Sequence, residues 1–472
     1  MAPKTHNLLV LSDVHLGSEL IFHVRPDAPS RTGVSERRDR DLIALLDWYR
    51  SHPVGQRPWR LLIGGDLIDF SGMSVSSPTA DIVTELTAEE LAHGLGGAVD
   101  HALAKLRMVL AHHAGVVRAL ATFVAAGNQL VIVPGNHDAD WHWEELQREF
   151  RERLAELGAF SGDQVQFAPW FYYEEGLIYL EHGHQYDAYC SHDHVLYPVS
   201  PKDPKRTTSS LSDVLVRYVV RPTRGMTEGG HDRMSALDYF RFAFSLGVSG
   251  TALLARRFTR ANRALFELWR EHVSEAAERA RREHERKMRA LSHATRISFE
   301  RLLELAGLQR PPLTRSLSAI AAGMMLDQIV VALASSLSFA LLFAWLDHWV
   351  TALASGLLVL SLLWLARRAW FTRQTVEPSA ELRESSVRVS RLLPTAFVVM
   401  GHTHLPEVEA AGPGSTYVNL GAWAEEETVG GASPALPATR THFVLIHAEH
   451  GASAELLTWE GGAPRPFQPA NA

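Results

Sequence analysis

The sequence predicts an α/β fold with a helical, membrane-spanning insertion. Short apolar runs alternate with helix-like stretches early in the chain, each of these runs ends at a polar cluster, and two long uncharged runs lie in the second half. These three observations separate a sheet-based domain from an inserted region. With 472 residues, of which 46% are hydrophobic, the chain is long enough to bury a large core in more than one structural unit.

Five apolar runs are followed directly by polar residues, as expected when β-strands end at a functional site. Helix-like segments between the early runs give a βαβ pattern, in which the carboxyl ends of neighbouring parallel strands meet at one crevice. The polar clusters should therefore lie close together. The five runs are Leu8–Ser12, Arg60–Ile63, Leu130–Val133, Leu177–Glu181 and Ala396–Met400.

Further secondary structure is predicted between and after these runs. Helices are predicted at Arg38–Ser51, Leu86–Ala126 and Trp143–Leu157. Strands are predicted at Thr416–Asn419, Thr441–His447 and Ala454–Trp459. The C-terminal part of the chain should therefore be rich in β-structure.

The polar clusters contain seven side chains that can bind divalent metal ions. Imidazole, carboxylate and amide donors suit ions such as Mn, Fe or Zn, and no cysteine accompanies them as in a structural zinc finger. Seven donors are too many for one ion, but they suit two ions that share a carboxylate, as in phosphoryl transfer. The seven are Asp13, His15, Asp66, Asn136, His182, His402 and His404.

The order of these clusters resembles the motif series of the calcineurin-like metallophosphoesterases. Each motif is weak by itself, but five in the same order at strand ends make a chance match improbable. The motifs are Asp13-Val-His15, Gly65-Asp66, Gly135-Asn136-His137-Asp138, His182-Gly183-His184 and Gly401-His402-Thr403-His404. The resemblance covers residues 8–190 and about 395–460, and it implies a four-layer αββα sandwich.

The resemblance also implies two ligand sets that share Asp66 as a bridge. The ligands of one ion would be Asp13, His15 and His404. The ligands of the other ion would be Asn136, His182 and His402. A hydroxide bridging the two ions would attack phosphorus in line with the leaving oxygen. Mn is the metal that we expect first, with Fe or Zn as alternatives.

Several residues next to the predicted ligands are expected to assist catalysis or to hold the site in place. By the same resemblance, His137 would contact the phosphoryl group and stabilise or protonate the leaving oxygen. Asp138 is expected either to orient His137 or to cap the following helix. His184 is expected near the pocket, because the first histidine of the family's HGH pattern is the ligand. Asp69 is expected to make local backbone hydrogen bonds, and no role is assigned to Asp187.

The middle of the chain differs from both ends. After the Pro- and Ser-rich stretch Tyr197–Ser210, apolar residues at three- and four-residue steps predict helices up to about Gly307. We predict four regions along the chain. They are the N-terminal part of the catalytic domain (1–200), a helical insertion or lid (205–312), a transmembrane hairpin (316–370) and the C-terminal part of the catalytic domain (390–472).

The two uncharged runs, Ile329–Leu346 and Val350–Ala366, predict the two helices of this hairpin. They contain 18 and 17 residues, at the lower end of the roughly 17–25 that span a membrane. Arginines flank both outer ends and the connecting turn has none, so the positive-inside rule places both ends in the cytoplasm. The protein is thus predicted at the inner membrane with its catalytic domain in the cytoplasm. A buried hairpin in a soluble protein is the alternative.

The composition of the chain bears on its binding partners and on its cellular compartment. A net charge of −7 and the absence of nucleic-acid-binding motifs argue against a nucleic-acid partner. A single cysteine, Cys190, cannot form an intramolecular disulfide and fits a reducing cytoplasm. The oligomeric state is left open.

The predicted function is hydrolysis of a phosphoester or pyrophosphate at a membrane, on a substrate that could be lipid-linked. The chain is distantly similar to bacterial UDP-diacylglucosamine pyrophosphatases, but that subfamily has arginine where this chain has His137. Alternatives are a membrane-tethered phosphodiesterase or phosphatase for soluble substrates and a non-catalytic metal-binding scaffold.

Overall fold

The described part of the chain forms two β-sheets that lie face to face, with helices on their outer faces. The computed structural model describes residues 6–26, 33–76, 82–224, 226, 236–324, 354–359, 361–362, 365, 377–424, 438–448 and 451–468. The order of layers is helix, sheet, sheet, helix. This architecture confirms the α/β class and fits the predicted sandwich.

Twelve strands form the two sheets in the described residues. They are β1 (Asn7–Leu11), β2 (Trp59–Gly64), β3 (Gln129–Val133), β4 (Val165–Phe167), β5 (Tyr172–Glu174), β6 (Ile178–Leu180), β7 (Phe397–Met400), β8 (Glu407–Ala410), β9 (Thr416–Asn419), β10 (Thr441–Ala448), β11 (Gly451–Glu460) and β12 (Ala463–Pro466). All eight segments predicted as strands coincide with one of these, to within three residues at either end.

The first sheet has seven strands in the order β12-β11-β10-β1-β2-β3-β4, and the second has five in the order β5-β6-β7-β9-β8. Strands β1 to β4 are parallel, and the chain crosses between them through helices, as the βαβ pattern predicts. In the second sheet β6 and β7 are parallel neighbours, with Ile178 paired to Phe397, although the whole helical middle of the chain lies between them. The insertion therefore leaves and re-enters the sandwich at adjacent strands.

Twelve α-helices are labelled in the described residues. They are α1 (Gly33–Ser51), α2 (Ala88–His93), α3 (Val99–His112), α4 (Ala114–Ala125), α5 (Glu144–Ala155), α6 (Leu211–Leu215), α7 (Ala236–Ser245), α8 (Gly247–His272), α9 (Glu275–Thr295), α10 (Phe299–Ala306), α11 (Leu317–Gly323) and α12 (Pro378–Leu392). The predicted helices Arg38–Ser51 and Trp143–Leu157 correspond to α1 and α5. The helix-like stretch Leu86–Ala126 corresponds to three helices, α2, α3 and α4.

Alternating side chains of β1 face two different layers, because successive residues of a strand point to opposite faces of the sheet. Leu8 and Val10 are buried between the two sheets. Leu9 and Leu11 are buried against α1, α3, α4 and α5 on the outer face. Burying one such leucine contributes about 1.5–3 kcal/mol, so this strand anchors two layers at once.

The outer face of the second sheet is covered by α12, which follows the insertion, and by α9 and α10 within it. Leu302 of α10 and Leu382 and Val389 of α12 pack with Tyr179 and Met400 of the sheet. The helical character predicted for the region up to Gly307 is confirmed by α6 to α10. The exact region boundaries stay a prediction.

The predicted membrane hairpin lies mostly outside the described residues. Ile329–Leu346 is wholly outside, and of Val350–Ala366 only 354–359, 361–362 and 365 are described, as helix. Within the ranges that the structure describes, no single helix is long and apolar enough to cross a membrane. Helices α3 and α4, which are bent by 87° relative to each other, are together long and apolar enough to cross a membrane by length and composition only. Both helices contribute buried side chains to the core.

Candidate active site

The predicted metal ligands lie in loops just past the carboxyl ends of five strands. Three of these strands, β1, β2 and β3, are adjacent and parallel in the first sheet. The other two, β6 and β7, are adjacent and parallel in the second sheet. The two sheets therefore present their ligand loops at one edge of the sandwich, as predicted from the βαβ pattern.

Five of the seven predicted ligands have an unusual backbone conformation. Among the described residues, eight non-glycine residues have positive φ, and five of these eight are predicted ligands. They are Asp13 (55°), His15 (49°), Asp66 (53°), His402 (71°) and His404 (60°). A positive φ is unfavourable for residues with a Cβ atom and is concentrated at functional sites, where the surrounding structure imposes it.

Asp66 lies at the centre of the cluster. Its Oδ2 atom is 3.2 Å from His182 Nε2 and 3.6 Å from His15 Nε2. Its Oδ1 atom accepts a hydrogen bond of 2.9 Å from the backbone N–H of His137. Burial alone would raise the pKa of Asp66, but the imidazoles of His182 and His137 hold it well below its ordinary value. The central carboxylate is therefore ionised.

Asp13, His15 and His404 form one compact group on one side of Asp66. Asp13 Oδ1 is 3.1 Å from His404 Nε2 and 3.9 Å from His15 Nε2. His15 Nε2 is buried and has no hydrogen-bond partner. Burial lowers the pKa of His15 to about 4, so its imidazole is neutral, which is the form that binds a metal ion. These properties fit a cation between the three side chains.

His182, Asn136 and His402 lie on the other side of Asp66. His182 Nδ1 is 2.9 Å from Gly64 O, and its Nε2 is 3.1 Å from Asn136 Oδ1. The rings of His182 and His402 are 5.3 Å apart between centroids. Burial would lower the pKa of His182, but the carboxylates of Asp66 and Asp13 raise it to about 9. The carboxylates thus create a strong demand for positive charge at this position.

Glycines before two of the ligands leave room for the cluster. A Cβ atom at Gly65 would lie 2.3 Å from His182 Nδ1. A Cβ atom at Gly135 would lie 2.1 Å from Asp66 Oδ1. No side chain fits at either distance, so the motifs require glycine at these two positions.

His137 lies beside both groups and is held by residues outside the motifs. Its Nδ1 atom is 2.7 Å from Asp69 Oδ1 and 3.0 Å from Ser71 Oγ. Asp69 Oδ2 accepts a 2.7 Å hydrogen bond from Arg221, which lies in the predicted insertion. The rings of His137 and His15 are 4.7 Å apart between centroids. A chain of charged groups therefore links the insertion to the side chain expected to act on phosphate.

Residues 6–223 match a family model described as calcineurin-like phosphoesterase. This part of the chain is therefore similar to the calcineurin-like phosphoesterases. Members of this family are hydrolases that act on phosphoric ester bonds and use divalent metal ions. No curated protein matches the chain significantly. The matched range ends before His402 and His404, yet the fold brings both to the phosphoesterase site.

The expectation that Asp138 orients His137 is wrong, and so is the capping alternative. In the phosphoesterase site Asp138 Oδ2 accepts from the backbone N–H of Leu67 at 2.8 Å, and Oδ1 accepts from that of Gly135 at 2.6 Å. Its side chain makes no capping bond to the following 3-10 helix. Asp138 instead joins two ligand loops, and burial raises its pKa to about 7. The backbone bond expected of Asp69 is present, to Gly72 N at 2.8 Å, but its contact with His137 was missed.

His184 and Asp187 complete the surroundings of the phosphoesterase site. His184 is buried, with its ring centroid 5.4 Å from that of His182, which agrees with its expected place beside the ligands. Asp187 Oδ2 lies 3.1 Å from His402 Nε2, a contact that was not predicted. A carboxylate on one ring nitrogen fixes the imidazole and leaves the other nitrogen for an ion. A carboxylate a few residues after a motif histidine is the only sequence signal that could have identified Asp187.

Proposed function

We propose that this domain hydrolyses a phosphoester or pyrophosphate with two divalent metal ions. Asp13, His15 and His404 would hold one ion. Asn136, His182 and His402 would hold the other. The observation that carries the proposal is the position of Asp66, whose Oδ2 atom faces His15 Nε2 of one set at 3.6 Å and His182 Nε2 of the other at 3.2 Å.

The donor set supports the choice of metal. It contains imidazole, carboxylate and amide donors, which suit Mn and also Fe or Zn. When bound, two such ions would activate the attacking water and neutralise charge on the phosphoryl oxygens. We propose Mn as the metal that the site uses.

His137 would act on the phosphoryl group directly. Asp69 and Ser71 fix its Nδ1 side, so the ring keeps one orientation relative to the ligand groups. In that orientation His137 would stabilise the leaving oxygen or give it a proton. Arg221 neutralises the second oxygen of Asp69, which preserves the ion pair on which this orientation depends.

The substrate and the location are further parts of the proposal. We propose a lipid-linked substrate and a catalytic domain on the cytoplasmic face of the inner membrane. The two uncharged runs with flanking arginines support this. Exposed apolar side chains at the junction of α7 and α8 are in keeping with it, since Phe244 is 79% exposed and Val248 is 91% exposed. A soluble phosphoester is the alternative substrate.

An activity panel tests the proposal. The full chain, loaded with Mn, Fe or Zn, should be assayed on nucleotide, phosphoprotein and lipid phosphates with and without detergent. Hydrolysis that requires metal and is greatest on a lipid phosphate would support the whole proposal. Metal-dependent hydrolysis of soluble substrates alone would refute the lipid assignment, and the absence of metal-dependent hydrolysis from every substrate would refute the catalytic role.

Reporter tags test the location separately. Tags at both termini should be inaccessible to an external probe in intact cells, and a tag in the turn at Asp347 should be accessible. Protection of the turn tag would contradict the membrane hairpin without affecting the metal-site proposal.

A further inference from the structure

A second group of metal-binding side chains lies outside the ligand sets of the active site. Glu19 belongs to the loop that follows β1, His112 is the last residue of α3, and His113 connects α3 to α4. Helix α1 adds Arg38 and Asp39 to the surroundings. The group therefore joins three helices to the loop that carries Asp13 and His15 in its first part.

The three donor atoms already have the spacing of metal ligands. Glu19 Oε1 is 3.2 Å from His112 Nε2 and 3.2 Å from His113 Nε2. The two imidazole rings are nearly perpendicular, at 83°, with centroids 4.8 Å apart. In tetrahedral zinc sites the bonds are about 2.0–2.1 Å, which places neighbouring ligand atoms roughly 3.4 Å apart. The two distances from Glu19 thus match this spacing, and all three donor atoms lie within 4.8 Å of one another.

These close contacts have poor geometry for hydrogen bonds, although both imidazoles lower the pKa of Glu19. Both carboxylate oxygens of Glu19 and the Nε2 atom of His112 are buried and have no hydrogen-bond partner. The side chain of Glu19 is only 7% exposed. Burying polar atoms that lack hydrogen bonds costs free energy, and an ion between Glu19 Oε1 and the two imidazoles would recover part of it.

The hydrogen bonds of His113 indicate that its Nδ1 atom carries the proton and that its Nε2 atom offers a lone pair. Its Nδ1 lies 2.8 Å from Asp39 Oδ2, so the Nδ1 proton is given to that carboxylate. A carboxylate on the far nitrogen is the usual support of a metal-binding histidine. His113 Nε2 accepts a hydrogen bond of 3.2 Å from the backbone N–H of Gly17, which a bound ion would replace. Glu19 Oε1 lies 3.2 Å from the same Nε2 atom.

The surrounding charges favour a cation. The group and its surroundings contain two carboxylates, those of Glu19 and Asp39, and one guanidinium, that of Arg38. Arg38 Nη2 is 3.5 Å from Glu19 Oε2, on the oxygen away from the histidines. Arg38 Nη1 donates at 2.9 Å to the carbonyl of His15. The guanidinium is thereby held beside the group without entering the space between the three donor atoms.

We propose that Glu19, His112 and His113 bind a further divalent ion of the zinc class, with a water molecule as fourth ligand. The donor atoms are buried while the side chain of His112 is 17% exposed, so the ion would lie just beneath the surface. The ion would fix the bend between α3 and α4 to the loop after β1. Its role is structural, and it is independent of the function proposed for the active site.

Metal content measures the proposal directly. The full chain, stripped and then equilibrated with zinc, should bind one ion fewer per chain in Glu19→Gln and in His112→Ala than in the wild type. His52→Ala, which changes an exposed histidine after α1, is the matched control and should bind the wild-type number. Asp39→Asn, which removes the support of His113, should weaken zinc binding at this position roughly 10- to 100-fold.

A second measurement does not depend on the folding of variants. An anomalous difference map at the zinc edge, from crystals of the wild-type protein, should show a peak between Glu19 and the two histidines. The proposal is overturned if that position has no peak, or if folded Glu19→Gln and His112→Ala bind the wild-type number of ions. Asp66→Asn should lose ions only at the active centre. The experiment therefore distinguishes a failure of the Glu19 site from a failure of the active-site proposal.

Discussion

Charged side chains lie in opposite environments at the strand ends and along helix α9. At the strand ends Asp13, Asp66 and Asp69 are almost fully buried and pair with histidines. Along α9, Arg281 pairs with Glu278 three residues away, and both side chains are about half exposed or more. Water screens the second kind of pair and not the first. Burial, rather than residue type, therefore decides which charges have chemical consequences in this protein.

The backbone shows the same contrast. The ligand loops hold aspartates and histidines at positive φ, whereas α9 is regular over its 21 residues. Strained backbone needs dense packing to maintain it. We expect the strand ends to be sensitive to single conservative substitutions and the helix surface to tolerate larger ones.

The largest effect is expected at Asp66. Asp66→Asn removes the negative charge shared by both ligand groups, so turnover should fall by several orders of magnitude and the content of active-site metal should fall with it. Metal analysis and activity on a small chromogenic phosphodiester measure both. Asp163→Asn, the same substitution on the exposed surface, should change neither. Full metal occupancy with near-normal turnover in Asp66→Asn would exclude the bridging role.

The next effect is expected at His137. His137→Ala should retain its metal ions, because the proposed ligand sets do not include this side chain, while activity falls roughly 10²- to 10⁴-fold. The loss should be smaller for substrates with good leaving groups, which need less proton donation. Comparison of aryl and alkyl esters tests this. An equal loss for both would leave only an electrostatic role.

A moderate effect is expected at Asp187. Asp187→Asn weakens the hold on His402 without removing a ligand, so metal affinity or activity should fall roughly 10- to 100-fold. A metal titration followed by activity would separate the two causes, since excess metal should restore turnover if affinity alone is affected. Unchanged affinity and activity would show that Asp187 does not support His402.

The smallest effect is expected on the helix surface. Arg281→Ala removes one exposed ion pair, which contributes about 0.2–1 kcal/mol at most. Thermal melting should therefore shift by no more than about 2 °C, and activity should not change. A large loss of stability would mean that exposed and buried charges in this protein do not differ as proposed.

Much of the sandwich could be predicted from the sequence because the strands are short apolar runs with sharp polar ends. The segment Leu8–Ser12, for example, differs from β1 by one residue at each end. The division of Leu86–Ala126 into three helices was not predicted. Gly94 adopts a positive φ at the end of α2, and the α3–α4 bend occurs at His113, whose partner Asp39 lies in another helix. The contact between His113 and Asp39 is long-range and leaves no local pattern in the sequence.

The site shows the same limit. The proposed ligands could be identified by their spacing within motifs, and the fold does bring them together. Asp69 and Asp187 could not be assigned, because their partners His137 and His402 lie 68 and 215 positions away. Asp138 was assigned wrongly because its neighbour in sequence is not its partner in space.

The adjacency of β6 and β7 has a consequence for the order in which the molecule assembles. The pairing of Ile178 with Phe397 closes a loop that contains the whole helical middle of the chain. Closing long loops costs entropy, and such pairings slow folding. During synthesis the first five ligands emerge long before His402 and His404. Acquisition of a full complement of ions should therefore be a late event in the biogenesis of this protein.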